Sequence, residues 1–79
     1  MSKLRYVSRG GAVLEGSSAL DIVMALRDAG LFTSKEGLDT YMLGVAEREK
    51  AYSGQIIDLG SVDAFISSAV ASGLLVPIY

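Results

Sequence analysis

The chain has 79 residues, of which 51% are hydrophobic and 20% are charged, and its formal net charge is −2. That length and balance exclude an intrinsically disordered chain and favour a single compact domain over residues 1–79. The absence of cysteine and histidine excludes disulfides, thiolate metal sites and histidine-based catalysis, so we expect a protein that is not an enzyme and holds no metal or cofactor.

The chain shows no signature of membrane insertion or secretion. No apolar run approaches the 18 or so residues that a bilayer span needs, and the basic residues near the N-terminus are not followed by the apolar core of a signal peptide. A chain without cysteine also fits a reducing compartment. We therefore expect a cytoplasmic protein without a membrane partner.

The sequence of residues 4–15 predicts a β-hairpin. Polar and apolar residues alternate over Leu4–Ser8, as in a half-buried strand, and a second β-prone run follows at 12–15. A two-residue Gly-Gly loop would set Tyr6 against Glu15. A three-residue loop with a glycine bulge gives better cross-strand pairs, so we favour it. Its pairs are Tyr6 with Leu14, Val7 with Val13 and Arg5 with Glu15.

A first helix follows, capped by Ser17 or Ser18 and ended by Gly30. Its apolar residues recur at helical spacing, and Leu20 and Met24 widen the apolar arc further. This breadth predicts that helix one is the most buried helix.

A second helix is predicted to begin near Thr33, which has capping-box spacing to Glu36, and to run to about residue 51. The apolar stripe of this helix is Leu38, Tyr41, Met42, Val45 and Ala46. Its acidic residues, Glu49 among them, are interpreted as a solvated face. Gly44 interrupts the helix, so either the backbone of another element packs closely there or the helix bends, and we favour close packing.

The rest of the chain predicts one more helix and one more strand. Residues 55–59 fit either a short strand or an extended connector. Ser61 is the predicted cap of a third helix that ends at Gly73. Residues 74–79 are β-prone, and Pro77 predicts an edge strand. We expect an α+β fold, with the hairpin and the C-terminal strand in a small antiparallel sheet packed on three helices; a mostly α-helical protein is the alternative.

One face of helix three is the strongest candidate for a partner interface. Asp63 is the only charged residue between Leu59 and Tyr79, and small side chains opposite the apolar stripe would let another helix approach closely. The predicted interface residues are Ala64, Ser67, Ser68, Ala71 and Ser72. This pattern favours a protein–protein interaction or regulatory module that acts as a homodimer or as a subunit.

Two further functions are predicted with weaker signals. A small basic patch of Lys3, Arg5 and Arg9 would suit a nucleic-acid-binding regulator. The glycine turn and the start of helix one would suit a sensor that binds a small anion or metabolite. The residues for anion contact are Gly10, Gly11, Ser17 and Ser18, together with the basic patch.

Overall fold

The computed structural model describes residues 3–30 and 35–78. Its strands are β1 (Leu4–Ser8), β2 (Val13–Gly16) and β3 (Leu75–Pro77), and its helices are α1 (Ala19–Asp28), α2 (Leu38–Ser53) and α3 (Val62–Ser72). The strands form one antiparallel sheet in the order β2-β1-β3, and the helices pack against it. The predicted α+β fold is confirmed, including the hairpin and the C-terminal strand.

The hairpin has the register that the sequence predicts. Val7 pairs with Val13, Tyr6 with Leu14 and Arg5 with Glu15. The backbone N–H of Ser8 donates to the carbonyl of Ala12 at 2.8 Å, which closes a three-residue loop. Only the second loop glycine, Gly11, has a positive φ, at 94°. That residue is therefore the bulge glycine.

β3 is an edge strand that accommodates its proline without losing a ladder hydrogen bond. Pro77 lies opposite Tyr6, while the neighbouring N–H of Ile78 donates to the carbonyl of Arg5 at 2.9 Å. Because hydrogen-bonded and non-hydrogen-bonded pairs alternate in an antiparallel ladder, Pro77 occupies a non-hydrogen-bonded position. Its missing N–H group would have pointed to the open edge of the sheet.

The caps explain where the helices begin and end. The hydroxyl of Ser18 accepts from the N–H of Asp21 at the start of α1, and that of Ser61 caps α3 in the same way. The third helix ends at Gly73, whose φ of 84° suits glycine. Helix α2 begins at Leu38, after Gly37, and ends two residues later than predicted. The predicted cap Thr33 lies outside the described residues.

The core lies between the helices and the inner face of the sheet, and it includes Ile22, Val23 and Phe65, all with no exposed surface. The prediction that helix one is the most buried is wrong. Only one side of α1 packs inward, and Leu20 and Met24 remain 44% and 40% exposed. None of the helices within the described part of the chain is long and apolar enough to cross a bilayer.

Residues 55–59 form a connector without regular secondary structure and not a strand. Ile57 is buried, and the N–H of Asp58 donates to the Ser68 hydroxyl at 2.9 Å. The expectation of a close backbone at Gly44 is wrong among the described residues. The atoms nearest to a Cβ built there all belong to the Arg48 guanidinium, the closest at 3.2 Å.

Candidate functional site

A buried carboxylate joins the hairpin to two helices. Glu49 on α2 is only 3% exposed, and its two carboxylate oxygens accept from the Arg9 guanidinium at 3.0 and 2.9 Å. The hydroxyls of Ser53 and Ser72 lie 3.1 Å from the same oxygens. The Arg9 guanidinium also lies 4.7 Å from the ring centroid of Tyr52. This cluster fixes the hairpin turn against the ends of α2 and α3.

The electrostatics of the cluster favour the charged state of both partners. Hydrogen bonding from Arg9 lowers the pKa of the Glu49 carboxyl group, in spite of the opposing effect of desolvation. The carboxylate raises the pKa of Arg9 in turn. A bidentate guanidinium–carboxylate pair has this reciprocal effect because each charge stabilises the other.

The lowered pKa predicts a pH dependence of stability. A carboxyl group whose pKa is lower in the folded state stabilises the fold above its unfolded pKa, near 4.5 for Glu49, and loses that contribution as the pH falls. As the pH falls below this value, we expect the melting temperature to fall. The fall should be smaller in a Glu49→Leu variant. Asp21, whose pKa is also lowered, is retained in both proteins. Equal pH dependence in the two proteins would contradict the prediction, and scanning calorimetry from pH 7 to pH 2.5 measures it.

The interpretation of Glu49 as a solvated residue is wrong, and the position of Glu49 in the sequence already indicated that it faces inward. Glu49 lies four residues after Val45 and seven after Met42, and both of these are buried residues of the apolar stripe. A charged residue in register with an apolar stripe faces the core of the protein, where it needs a partner. The partner, Arg9, lies 40 positions away and could not be identified from spacing.

Two of the three residues of the predicted basic patch form ion pairs within the protein. The Arg5 guanidinium forms an ion pair with Glu15 at 3.1 Å, and Arg9 is held by Glu49. Lys3 and Arg5 line a cavity of about 420 Å³ between the start of β1 and α3, together with Ser67 from the predicted interface. The structure thus separates Arg9 from the other two basic residues.

The polar groups at the start of α1 already bind a carboxylate of the protein itself. The carboxylate of Asp21 accepts from the backbone N–H and the hydroxyl of Ser17, both at 3.0 Å. Ser18 is the helix cap described above. Gly10 and Gly11 lie at the exposed hairpin turn, apart from this helix start. The residues predicted to contact an anion therefore lie in two separate places.

The predicted interface on α3 is partly covered by the rest of the chain. Ser68 accepts from the connector and Ser72 contacts Glu49. Ala64 is half-buried, while Ser67 and Ala71 are exposed. Of the five predicted residues, Ser67 and Ala71 are therefore the two that are exposed to a partner.

The outer face of the sheet carries an apolar row that crosses all three strands. Val7 lies directly opposite Val13 on one side and Val76 on the other. Val13 is 58% and Val76 is 51% exposed, because the helices cover only the opposite face, where Leu14 and Leu75 are buried. We call Val13, Val7 and Val76 the valine row.

A cleft opens between the hairpin turn, the end of α1 and α2. It consists of two adjoining cavities of about 370 and 330 Å³, which share Leu26, Tyr41 and Arg48 as lining residues. Burial raises the pKa of the Tyr41 hydroxyl, so this group stays protonated at neutral pH. We call this depression the Arg48 cleft, and no sequence motif pointed to it.

No group of three or more acidic residues within residues 3–30 and 35–78 is placed to hold a metal ion. Comparison of the chain with protein-family models, with curated proteins and with solved structures finds no significant match in any of the three.

Proposed function

We propose that the protein is a non-enzymatic interaction module of the cytoplasm that associates with a second copy of itself through the outer face of its sheet. The valine row is the observation that carries this proposal. Three β-branched side chains in one cross-strand row form a continuous apolar strip, and the charges beside it, Arg5 and Glu15, neutralise each other. An apolar strip without net charge suits packing against an identical strip.

The size of the face limits the strength of this association. Three strands at a spacing of about 4.8 Å, each of up to five residues at about 3.4 Å, cover roughly 15 by 17 Å. A stable complex buries about 800 Å² on each partner. We therefore expect a weak dimer that dissociates on dilution, in which two sheets pack face to face.

The helix-three face remains a second candidate for the same function. Ala71 and Ser67 are exposed and small, so another helix could still approach that side. Nucleic-acid binding through Lys3, Arg5 and Arg9 has less support, because two of the three cations already have carboxylate partners. Sensing of an anion at Ser17 and Ser18 has less support as well, because the Asp21 carboxylate occupies the Ser17 N–H.

The test replaces both exposed valines by threonine, which keeps the β-branched shape and the β propensity but adds a hydroxyl group. Light scattering over a dilution series up to about 1 mM should show the wild-type mass rising from monomer to dimer. The Val13→Thr/Val76→Thr variant should remain monomeric at every concentration.

An Ala71→Arg variant is the matched control, because it places a charge on the exposed side of α3 and leaves the sheet unchanged. It should dimerise like the wild type. Dimerisation that is lost in Ala71→Arg and kept in the threonine variant would move the interface to helix three. A strictly monomeric wild-type protein would disprove self-association.

A further inference from the structure

Arg48 is an exposed residue of α2 whose guanidinium has no ion-pair partner among residues 3–30 and 35–78. It forms no hydrogen bond with any residue in these ranges either. It lines both cavities of the Arg48 cleft, and it lies over Gly44, one helical turn earlier on α2. The absence of a side chain at Gly44 makes room for the guanidinium in this position.

A second polar group opens into the same cleft. Tyr41 is 5% exposed and lines both cavities. Its hydroxyl makes no hydrogen bond within the described ranges, yet no fully buried side-chain polar atom there lacks a partner. The hydroxyl therefore keeps some exposed surface, and because Tyr41 lines the cleft, it can donate to a group bound there.

Apart from Arg48 and Tyr41, the larger cavity is apolar or already neutralised. Leu26, Val45 and Leu74 contribute aliphatic walls, and the ring of Tyr52 lies at one side. Arg9 and Glu49 also line the larger cavity, but they neutralise each other. Arg48 is thus the one unpaired charge among the described lining residues, in a space of the size that small ligands occupy.

We propose that the Arg48 cleft binds a small organic monocarboxylate with an apolar or aromatic body. The carboxylate pairs with the guanidinium of Arg48 and accepts from the Tyr41 hydroxyl, and the body packs on the aliphatic walls. A guanidinium matches the two oxygens of a carboxylate in a bidentate pair. A single free cation favours a monoanion over a phosphate dianion.

The probe for this proposal is 4-phenylbutyrate, and its neutral amide, 4-phenylbutyramide, is the matched ligand. Titration followed by ¹H–¹⁵N correlation spectra should show saturable binding of the carboxylate, with a Kd of about 1 mM or tighter. The shifts should lie at the turn, the end of α1 and α2. The amide should bind at least about tenfold more weakly, since it lacks the charge-assisted pair.

Two variants assign the polar contacts. Arg48→Gln should weaken carboxylate binding at least about tenfold, and Tyr41→Phe should weaken it about threefold. Lys50→Gln is the control, because it removes the same charge from a residue of α2 that lines neither cavity, and it should bind like the wild type. Spectra of the free variants that match the wild type away from the substituted residue would establish that each variant is folded.

Three results would overturn the proposal. These are the absence of saturable binding, equal binding of the carboxylate and the amide, and undiminished binding by Arg48→Gln. The Val13→Thr/Val76→Thr variant should bind 4-phenylbutyrate normally, because the valine row is not part of the cleft lining. Failure of the dimer proposal therefore leaves this one testable.

Discussion

Replacing Arg9 with methionine is expected to lower the melting temperature by more than about 10 °C at pH 7. The substitution keeps much of the aliphatic volume and leaves the Glu49 side chain, 1% exposed, without its ion partner. The two serine hydroxyls remain near the carboxylate but carry no compensating charge. A domain of this size has only a few kcal/mol of stability, so the variant should be partly unfolded well below the wild-type transition.

Removing both charges should restore most of the melting temperature that Arg9→Met loses. An Arg9→Met/Glu49→Leu variant leaves no buried charge in this cluster, and replacing a buried ion pair by apolar residues of similar volume is often neutral or even stabilising. Ser72 can still donate to the carbonyl of Ala69 at 3.0 Å. The double variant should therefore melt much closer to the wild type than Arg9→Met does, as thermal denaturation followed by circular dichroism would show.

The control is Arg5→Met, which removes a cation from an exposed pair. The side chains of Arg5 and Glu15 are 50% and 44% exposed, and exposed pairs contribute little to stability. We expect a change of at most a few degrees. If Arg9→Met and Arg5→Met have equal effects, the buried pair is not a main determinant of stability.

The contrast between these two ion pairs shows which features were predictable. The pairing of Arg5 with Glu15 follows from loop length and strand alternation, both local properties, and the structure confirms it. The caps Ser18 and Ser61 are local as well. The position of Arg9 beside Glu49 depends on how the hairpin packs against α2, and no local rule contains that information.

The candidate sites divide in the same way. Two members of the valine row, Val7 and Val13, were predicted to be opposite each other, and β3 adds the third from the far end of the chain. The exposure of Leu20 was misjudged. The sequence pattern shows how wide the apolar face of the helix is, but it does not show how much of that face other elements cover. The Arg48 cleft is shaped by three elements together, so sequence spacing could not reveal it.

Gly16 marks a close approach between the end of β2 and the first turn of α1. A Cβ built on Gly16 would collide with the Cβ of Asp21 and lie 3.4 Å from the backbone carbonyl carbon of the same residue. Gly16→Ala must therefore push the end of β2 away from the first turn of the helix. Overpacking of this kind costs about 1–3 kcal/mol.

The displacement would also disturb the hydrogen bonds that hold the helix start, in which the Asp21 carboxylate accepts from Ser17 and the Asp21 N–H donates to Ser18. We expect Gly16→Ala to lower the melting temperature by about 10 °C. Gly10→Ala is the matched control, because its new Cβ would meet only the Ser8 hydroxyl, at 3.9 Å. The variant chain would also lose less conformational entropy on folding than the wild-type chain with glycine. Similar melting temperatures for the two variants would mean that α1 can shift without cost, and that contact between β2 and α1 does not require glycine.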